Sequence, residues 1–373
     1  MKRLLVALAA AACAAIGPML SASAFTPQST AATNAIGWLH AQQSADGTVA
    51  GDASRTEETI WGLVANSGSV ADFATSGKSP VDSLRVHIAS EEKTAGNIGS
   101  LIMAVSAAGL DPTSFAGRNV VQDLACTYTP STGSFNPQLF NDALAVLAIP
   151  RDSVPAKAVD FLLSQQKADG GWEFGTGFGS DTNTTAIVMM ALVSANGLTT
   201  AARDRALAYL KTQQQASGGF EYAAGSADSD PNSDANVIEA LLATEQDPTG
   251  TAWSIGDKNA VTDLLTFQFS NGGFGFSRPG SSATAAPDAF STTQALPALA
   301  SRFLPVRQTT GVMPSSCPAT TTASASPSPS PSPPSTAHLA QTGARPASSM
   351  PVLPLLLGLL LVMLGWRLKR RVD

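Results

Sequence analysis

The chain alternates two kinds of helical segment, one amphipathic and one almost wholly apolar. Residues 201–215 show the amphipathic kind, with Arg, Asp and Lys side chains spaced among Ala, Leu and Tyr. Residues 186–192 show the apolar kind, and all seven of them are hydrophobic. A helix that is apolar on every side is typical of a buried position, whereas an amphipathic helix turns one face to solvent. The pattern predicts an all-α fold with apolar helices inside and amphipathic helices outside.

Six helical hairpins of this kind follow one another, at a spacing of about 40–55 residues that is typical of helical repeats. The last apolar helix, 291–300, is as apolar as the middle ones. An open solenoid would need polar faces on its end repeats. We therefore predict a closed ring, an (α/α)6 toroid of six helical hairpins spanning residues 34–304. The hairpins occupy residues 35–67, 81–109, 120–149, 158–192, 205–244 and 260–300.

A turn motif joins the two helices in four of the six hairpins. In each, a Gln is followed by a Gly four residues later and by a hydrophobic residue six residues later. The Gly is expected to take the left-handed conformation that closes the first helix, because it has no Cβ to clash. The Gln amide is expected to bind freed carbonyls or open N–H groups of the next helix. The motif residues are Gln43, Gly47 and Val49; Gln166, Gly170 and Trp172; Gln214, Gly218 and Phe220; and Gln268, Gly272 and Phe274.

The pattern Gln-x-x-x-Gly-x-Trp/Phe before a helix ending in Ala-Leu resembles the QW repeat of the squalene cyclase and protein prenyltransferase superfamily. The resemblance covers about residues 34–303 and implies an α/α toroid. It does not imply one chemistry, since related toroids include cobalamin carriers and complement thioester domains.

Both ends of the chain predict export and attachment. Residues 1–24 have the charged start, apolar centre and Ala-x-Ala end of a secretory signal peptide. Residues 305–338 are rich in Ser, Thr and Pro, which predicts a disordered, extended stalk. Residues 339–373 contain Leu339-Ala-Gln-Thr342-Gly343, a hydrophobic segment expected to form a helix, and a basic tail.

This C-terminal order resembles a Gram-positive cell-wall sorting signal of the Leu-Ala-x-Thr-Gly type. The resemblance implies that a sortase cuts between Thr342 and Gly343 and joins Thr342 to peptidoglycan. A single membrane anchor with its basic end in the cytoplasm is the alternative. Either way the toroid is expected outside the cell, in the wall or on the outer face of the plasma membrane.

The charge of the toroid limits the class of partner, and its cysteines predict a disulfide. The chain has 22 basic and 28 acidic residues, and seven of the basic ones lie in the terminal segments. The toroid is therefore acidic, which argues against nucleic acid as a partner. Cys126 and Cys317 remain after export into an oxidising compartment, and we predict that they form a disulfide.

The chemistry of the resembling families has few matches in this chain. A prenyltransferase zinc site is not expected, since the three histidines and Cys126 have no ligand spacing. The cyclase motif Asp-x-Asp-Asp is matched best by Asp228-Ser229-Asp230-Pro231, which lacks the final Asp. The thioester sequence Cys-Gly-Glu-Gln is absent, because Cys126 is followed by Thr127.

An acidic stretch suggests a possible calcium site. Its members fall at positions 1, 3, 5, 7 and 12 of a calcium loop, although Ser233 stands where that loop requires Gly. The alternative is a polar loop in which Asp234 caps the fifth inner helix. The candidate ligands are Asp228, Asp230, Asn232, Asp234 and Glu239.

Three loops that follow the turn motif are predicted to form the rim of the toroid, namely 173–182, 221–233 and 275–287. Asp181, Asp234 and Asp288 are expected to begin inner helices at this mouth. With Glu173, Glu221 and Glu239 they are candidate general acids and bases for a sugar; helix capping is the alternative. Side chains two residues past the motif aromatic are expected to be free to touch a ligand, and these are Phe174, Tyr222 and Phe276.

These observations favour a surface-anchored, terpenoid-cyclase-like toroid that acts as a non-catalytic binding or adhesion module. The ligand class, whether small molecule, glycan or protein, stays open, and no cofactor beyond calcium is expected. One alternative is an extracellular enzyme, cyclase-like or carbohydrate-active, that uses the Asp and Glu residues of the rim, including Asp228 and Asp230. A second alternative is small-molecule binding of the cobalamin-carrier kind.

Overall fold

The computed structural model describes residues 25–91, 94–226, 228–314 and 317. These residues form twelve α-helices and two strands of two residues each. The strands β1 (Trp172–Glu173) and β2 (Ser180–Asp181) pair antiparallel. The helices are α1 (Ser29–Ala41), α2 (Ala53–Ala65), α3 (Pro80–Glu91), α4 (Ala95–Ala107), α5 (Val120–Ala125), α6 (Leu139–Ala148), α7 (Ala156–Ser164), α8 (Thr182–Ser194), α9 (Thr200–Thr212), α10 (Pro231–Ala243), α11 (Ala260–Leu265) and α12 (Ala289–Leu299).

The even-numbered helices form an inner ring. Each packs against the next, and α12 packs against α2, so the ring is closed. Small residues allow close approach, since a Cβ on Gly99 of α4 would lie 2.6 Å from the Leu144 carbonyl oxygen of α6. The prediction of a closed α/α toroid over an open solenoid is thereby confirmed.

The odd-numbered helices lie outside this ring and are buried on one face only. In α9 the buried residues are Ala202, Ala206, Tyr209 and Leu210, whose spacing marks one helical stripe. Inner helices such as α8 and α10 are buried along nearly their whole length. The predicted division into amphipathic outer helices and buried inner helices is confirmed.

The motif glutamines bind successive hairpins to one another. The amide nitrogen of Gln166 donates to Gly170 O at 2.8 Å and to Ala202 O of the next outer helix at 2.9 Å. Gln43 and Gln214 also donate to the carbonyl of their own turn glycine, and their second acceptors are Phe73 O and Trp253 O, which precede the next outer helices. Gln268 donates to Ala31 O of α1 at 2.9 Å, so this repeated contact also closes the ring.

The motif glycines have positive φ, as predicted, but they do not close the first helix. Helix α1 ends at Ala41, and Gly47 (φ 94°) lies in a turn bridged by Gln43 and Val49. A Cβ on Gly170 would lie 2.3 Å from the Arg205 carbonyl oxygen. Glycine is therefore required both by the backbone conformation and by the next hairpin, which the sequence pattern alone did not indicate.

The chain after α12 crosses beneath the C-terminal ends of the inner helices. Leu304 N–H donates to Glu239 of α10 at 3.2 Å, and the Gln308 amide donates to Ser194 Oγ of α8 at 3.2 Å. Thr309 Oγ1 lies 3.1 Å from Ser106 Oγ of α4. We call residues 302–314 the tail. Leu304, Thr309 and Met313 of the tail are buried, so the packed part of the chain continues beyond residue 304.

The tail leads to a disulfide between Cys317 and Cys126, which ends α5. The Cα atoms of the two cysteines are 4.6 Å apart and the residues are 191 positions apart in sequence. The bond joins the end of the toroid to its third hairpin, as the sequence analysis expected.

The predicted signal peptide and the sorting residues Leu339, Thr342 and Gly343 lie outside the described residues, as does the stalk beyond residue 317. Within the part of the chain that the structure describes, no helix combines the length and apolar character needed to cross a bilayer.

Candidate functional site

The N-terminal ends of the inner helices form the mouth of the toroid, and four of them are capped by aspartates. Asp52 precedes α2, Asp181 precedes α8, Asp230 precedes α10 and Asp288 precedes α12, and each accepts a hydrogen bond from a backbone N–H of its helix. The expectation that Asp234 begins the fifth inner helix was wrong. Pro231 begins α10, so Asp234 is its fourth residue.

The capping carboxylates are largely occupied by backbone donors. Asp181 accepts from Thr184 N at 2.7 Å and from Phe174 N at 3.1 Å, one bond to each oxygen. Asp288 likewise accepts from Ser291 N and Phe276 N. Burial raises the pKa of Asp181 to about 6, although these N–H groups lower it in part.

Asp230 differs from Asp181 and Asp288, because only one of its carboxylate oxygens accepts hydrogen bonds. One of its carboxylate oxygens accepts from Asn232 N at 2.8 Å and Ser233 N at 3.1 Å. Burial, with a smaller contribution from the negative charge of Asp288, raises the pKa of Asp230 to about 6. This carboxyl therefore holds its proton to a higher pH than an ordinary aspartate does.

Asp234 is part of a repeated contact between the inner helix and its own turn. In five hairpins the backbone N–H that follows the turn glycine by two residues donates to the fourth residue of the inner helix. That residue is a threonine or an aspartate. The acceptors are Thr56, Asp142, Thr185, Asp234 and Thr292.

The two aspartates in this series are fully buried. Burial raises the pKa of Asp142 to about 6. Burial also raises the pKa of Asp234 well above its usual range, and the neighbouring Asp263 adds to the rise. Asp142 and Asp234 accept the same turn N–H that a threonine accepts in the other three hairpins. This structural role argues against a role for Asp234 in catalysis.

Arg278 organises the rim between the fifth and sixth hairpins. Its guanidinium donates to both carboxylate oxygens of Asp263 at 2.9 Å, and to Asp228 at 2.7 Å. It also donates to Ser229 Oγ at 2.6 Å and lies 4.1 Å above the ring centre of Phe267. Sequence reasoning missed Arg278, although it is the only charged residue in the loop 275–287.

The predicted rim aromatics differ in their freedom. Phe276 is 52 % exposed, as expected, and Phe178 is more exposed still at 61 %. Phe174 and Tyr222 are half-buried, and their carbonyls accept from the first residues of neighbouring inner helices, Leu139 and Thr182. Phe276 and Phe178 are therefore the aromatic side chains most available to a ligand at the rim.

The interior of the ring contains a polar cluster that sequence reasoning also missed. Arg55 and Glu58 of α2 form an ion pair at 2.9 Å, and Thr293 of α12 donates to Glu58. Burial raises the pKa of Glu58, and burial raises the pKa of Glu239 well above its usual range, with Glu58 adding to that rise. The available signal was the run of polar and charged residues at 54–59, in the first half of this inner helix.

The structure does not bring the calcium candidates to one point. Asp228 binds Arg278, Asp230 caps α10, and Glu239 accepts from the tail. Asn232 and Asp234 lie within α10, whose rigid geometry cannot wrap a cation as a loop does. Among the described residues, no group of three or more His, Cys, Asp or Glu side chains is arranged to hold a metal ion.

No protein-family model and no curated protein matches the chain. Solved structures do. The apo type II terpene cyclase MstE from Scytonema is 16% identical, with 73% of this chain and 97% of that chain covered and a TM-score of 0.55. A variant of MstE with its substrate, geranylgeranyl dihydroxybenzoate, is 14% identical, with coverage of 74% and 97% and a TM-score of 0.57.

A protein from Actinoplanes is also similar, at 14% identity, with coverage of 74% and 99% and a TM-score of 0.52. At these identities the likeness concerns the fold. The described toroid has the α/α architecture of terpene cyclases.

Proposed function

We propose that this chain is an exported surface protein whose toroid is a non-catalytic binding or adhesion module that admits its ligand at the mouth. The segments at 1–24 and 339–373 support export and attachment. In this proposal a sortase joins Thr342 to peptidoglycan. The toroid then stands on its stalk at the outer face of a Gram-positive-type cell.

The observation that carries the non-catalytic part is the engagement of the mouth carboxylates. Asp181 and Asp288 each use both oxygens to hold backbone N–H groups of a helix start and a rim loop. A carboxylate held in this way stabilises the fold. A general acid or base must instead keep an oxygen within reach of the proton it transfers.

The cyclase motif is incomplete at a position with a structural role. Pro231 stands where Asp-x-Asp-Asp has its last carboxylate, and it is the first residue of α10. Proline is favoured there because a helix start leaves that N–H without an intrahelical partner. Pro231 therefore stabilises the start of α10 and has no acidic side chain.

The ring interior also differs from what a polyprenyl chain requires. An apolar chain would have to bury the Arg55–Glu58 ion pair without hydrogen bonds from the ligand. Burying charged groups in that way is costly. A polar ligand avoids this cost, which favours binding of a polar molecule.

The test is mass spectrometry of what co-purifies with the full chain, compared among wild type, Asp230→Asn and Asp234→Asn. Both variants keep an accepting oxygen for the backbone bonds and remove the acid. We expect the same bound compounds, chemically unchanged, in all three proteins. Conversion of a bound compound by the wild type and its loss in Asp230→Asn would overturn the proposal.

Asp230 supports one second candidate, a cyclase-type enzyme in which this carboxyl donates a proton. Its burial, its pKa of about 6 and its free oxygen favour that reading, as does the shared fold with MstE. Incubation with geranylgeraniol tests it. A cyclised product that disappears in Asp230→Asn would establish the enzyme, and unchanged geranylgeraniol would exclude it.

A further inference from the structure

A groove lies at the end of the ring opposite the mouth, beside the C-terminal ends of α2 and α4 and the start of α3. We call it the α3 groove. Its volume is about 350 Å³, and small-molecule sites have volumes of about 300–1,000 Å³. The groove is large enough for a small ligand, and a ligand bound there would be separate from one at the mouth.

Most of the residues that line the α3 groove are apolar. Four of them are only partly buried where they pack against the hydrophobic core, so each keeps a surface that a ligand can cover. Removing such surface from water is favourable. The groove therefore favours a ligand with an apolar group. The apolar lining residues are Val70, Ala71, Val81, Ala108 and Leu110, of which Ala71 is the exposed one.

Arg85 of α3 supplies the positive charge of the groove. It is exposed, and its guanidinium carbon lies 5.3 Å from the ring centre of Phe115. Phe115 is buried, so its ring is a fixed platform for the cation. In the part of the chain that the structure describes, Arg85 makes no ion pair or hydrogen bond. Its N–H groups are therefore open to a carboxylate, which a planar guanidinium can bind through two hydrogen bonds.

Asp82 of α3 supplies the negative charge of the groove. Its Oδ2 accepts from Ser79 N at 2.9 Å and from Ser79 Oγ at 2.7 Å, and neither bond uses Oδ1. These bonds, with smaller contributions from the charges of Lys78 and Arg85, hold the pKa of Asp82 below its usual value. The side chain is therefore fixed and ionised at neutral pH, with one oxygen left for a positively charged group.

Asp82 and Arg85 are three residues apart, so they are neighbours on one side of α3. We infer that the α3 groove binds a free α-amino acid with an apolar side chain. The carboxylate of the ligand would bind Arg85 and its ammonium group would bind Asp82 Oδ1, while its side chain would cover the apolar lining. An α-amino acid carries both charges on one carbon, which suits two neighbouring opposite charges. This site is additional to the binding proposed at the mouth and does not depend on it.

The experiment is isothermal titration calorimetry of the full chain with valine, leucine and phenylalanine. Three analogues each lack one feature: leucinamide has no carboxylate, 4-methylpentanoate has no ammonium group, and glycine has no apolar side chain. Arg85→Gln removes the cation, and Asp82→Asn removes the charge but keeps an acceptor for Ser79. Arg203→Gln is the matched control, because it removes one positive charge from α9, where the guanidinium already pairs with Asp204. Melting temperatures show whether each variant is folded.

We expect saturable binding of at least one of the three amino acids, with one site per chain. Arg85→Gln and Asp82→Asn should each weaken it about tenfold or more, because a hydrogen bond to a charged group contributes about that much. Arg203→Gln should not change it, and the three analogues should bind more weakly than leucine. No binding of the three amino acids, or an equal loss in Arg85→Gln and Arg203→Gln, would overturn the inference. Equal affinities for leucine and 4-methylpentanoate would overturn the amino acid as the ligand class.

Discussion

Asp234 lies against Asp263 beneath the mouth of the toroid, and Arg278 holds Asp263 through two hydrogen bonds of 2.9 Å. The arginine stabilises the negative charge of Asp263. Burial and that negative charge both favour a neutral Asp234. The surroundings of Asp234 therefore raise the pKa of its carboxyl.

Replacing Asp234 with threonine, the residue found at this position in three other hairpins, should stabilise the protein at high pH. The native pKa of Asp234 is raised, so the folded state binds more protons than the unfolded state above about pH 4. Stability is then full below that pH and falls as pH rises towards the native pKa. Asp234→Thr should raise the free energy of unfolding by about 1–3 kcal/mol at pH 8 and by less at pH 4.

Urea titrations at the two pH values measure this difference. The reverse change, Thr292→Asp, is the matched control in the sixth hairpin and should destabilise the protein more at pH 8 than at pH 4. A pH-independent effect of Asp234→Thr would contradict the assignment of a neutral, buried carboxyl.

Thr185→Val should lower the free energy of unfolding by about 1–3 kcal/mol, because it leaves the buried Trp172 N–H without its acceptor at 3.0 Å. Valine has nearly the same shape, so lost packing contributes little. Thr113→Val, at an exposed turn, is the control and should change stability by less than about 0.5 kcal/mol. Equal losses in both variants, measured by thermal unfolding, would show that the repeated contact does not stabilise the turn.

Arg278→Met should destabilise the protein by about 3–5 kcal/mol, because it leaves the buried Asp263 without its ion-pair partner. The double variant Arg278→Met, Asp263→Asn should recover most of that loss, since the uncompensated charge is gone. The coupling free energy from this double-mutant cycle is the measurement. Additive effects of the two changes would contradict the network at the rim.

Reduction of the Cys126–Cys317 disulfide should lower the free energy of unfolding by about 2–5 kcal/mol, since the bond closes a loop of 191 residues in the unfolded chain. The double variant Cys126→Ser, Cys317→Ser should lose the same amount and should not respond to a reductant. Unfolding with and without dithiothreitol measures both. A wild type that is indifferent to dithiothreitol would show that the bond does not stabilise the toroid.

The fold was predictable because it is repeated. The alternation of amphipathic and apolar helices is a local signal that every hairpin repeats, and the spacing of residues such as Gln166 and Gly170 recurs in four of the six. The pairing of Gln268 with Ala31 was not predictable, because it depends on the ring closing in space. We expected Gly170 to close its own outer helix. In the structure a Cβ at this position would meet the Arg205 carbonyl oxygen of the next hairpin.

The site was less predictable, for a physical reason. In a sequence, an aspartate that caps a helix cannot be distinguished from one that transfers a proton. In the structure, α10 begins at Pro231, so the cap is Asp230 and not Asp234. The contacts of Arg278 join residues 50 positions apart, which no local pattern shows. The polar cluster of Arg55, Glu58 and Thr293 joins α2 and α12, so it becomes visible only when these two helices are packed side by side.

The Cys126–Cys317 disulfide also decides which part of the chain carries mechanical tension. A pull on the chain beyond Cys317 passes through the sulfur atoms to Cys126 and enters the protein at the end of α5. The tail lies inside the covalent loop that this bond closes, so it bears none of that load. If the chain is fixed to a wall at one end and holds a ligand at the mouth, tension runs through the third hairpin. The contacts of the tail with α4, α8 and α10 then stay in place under load.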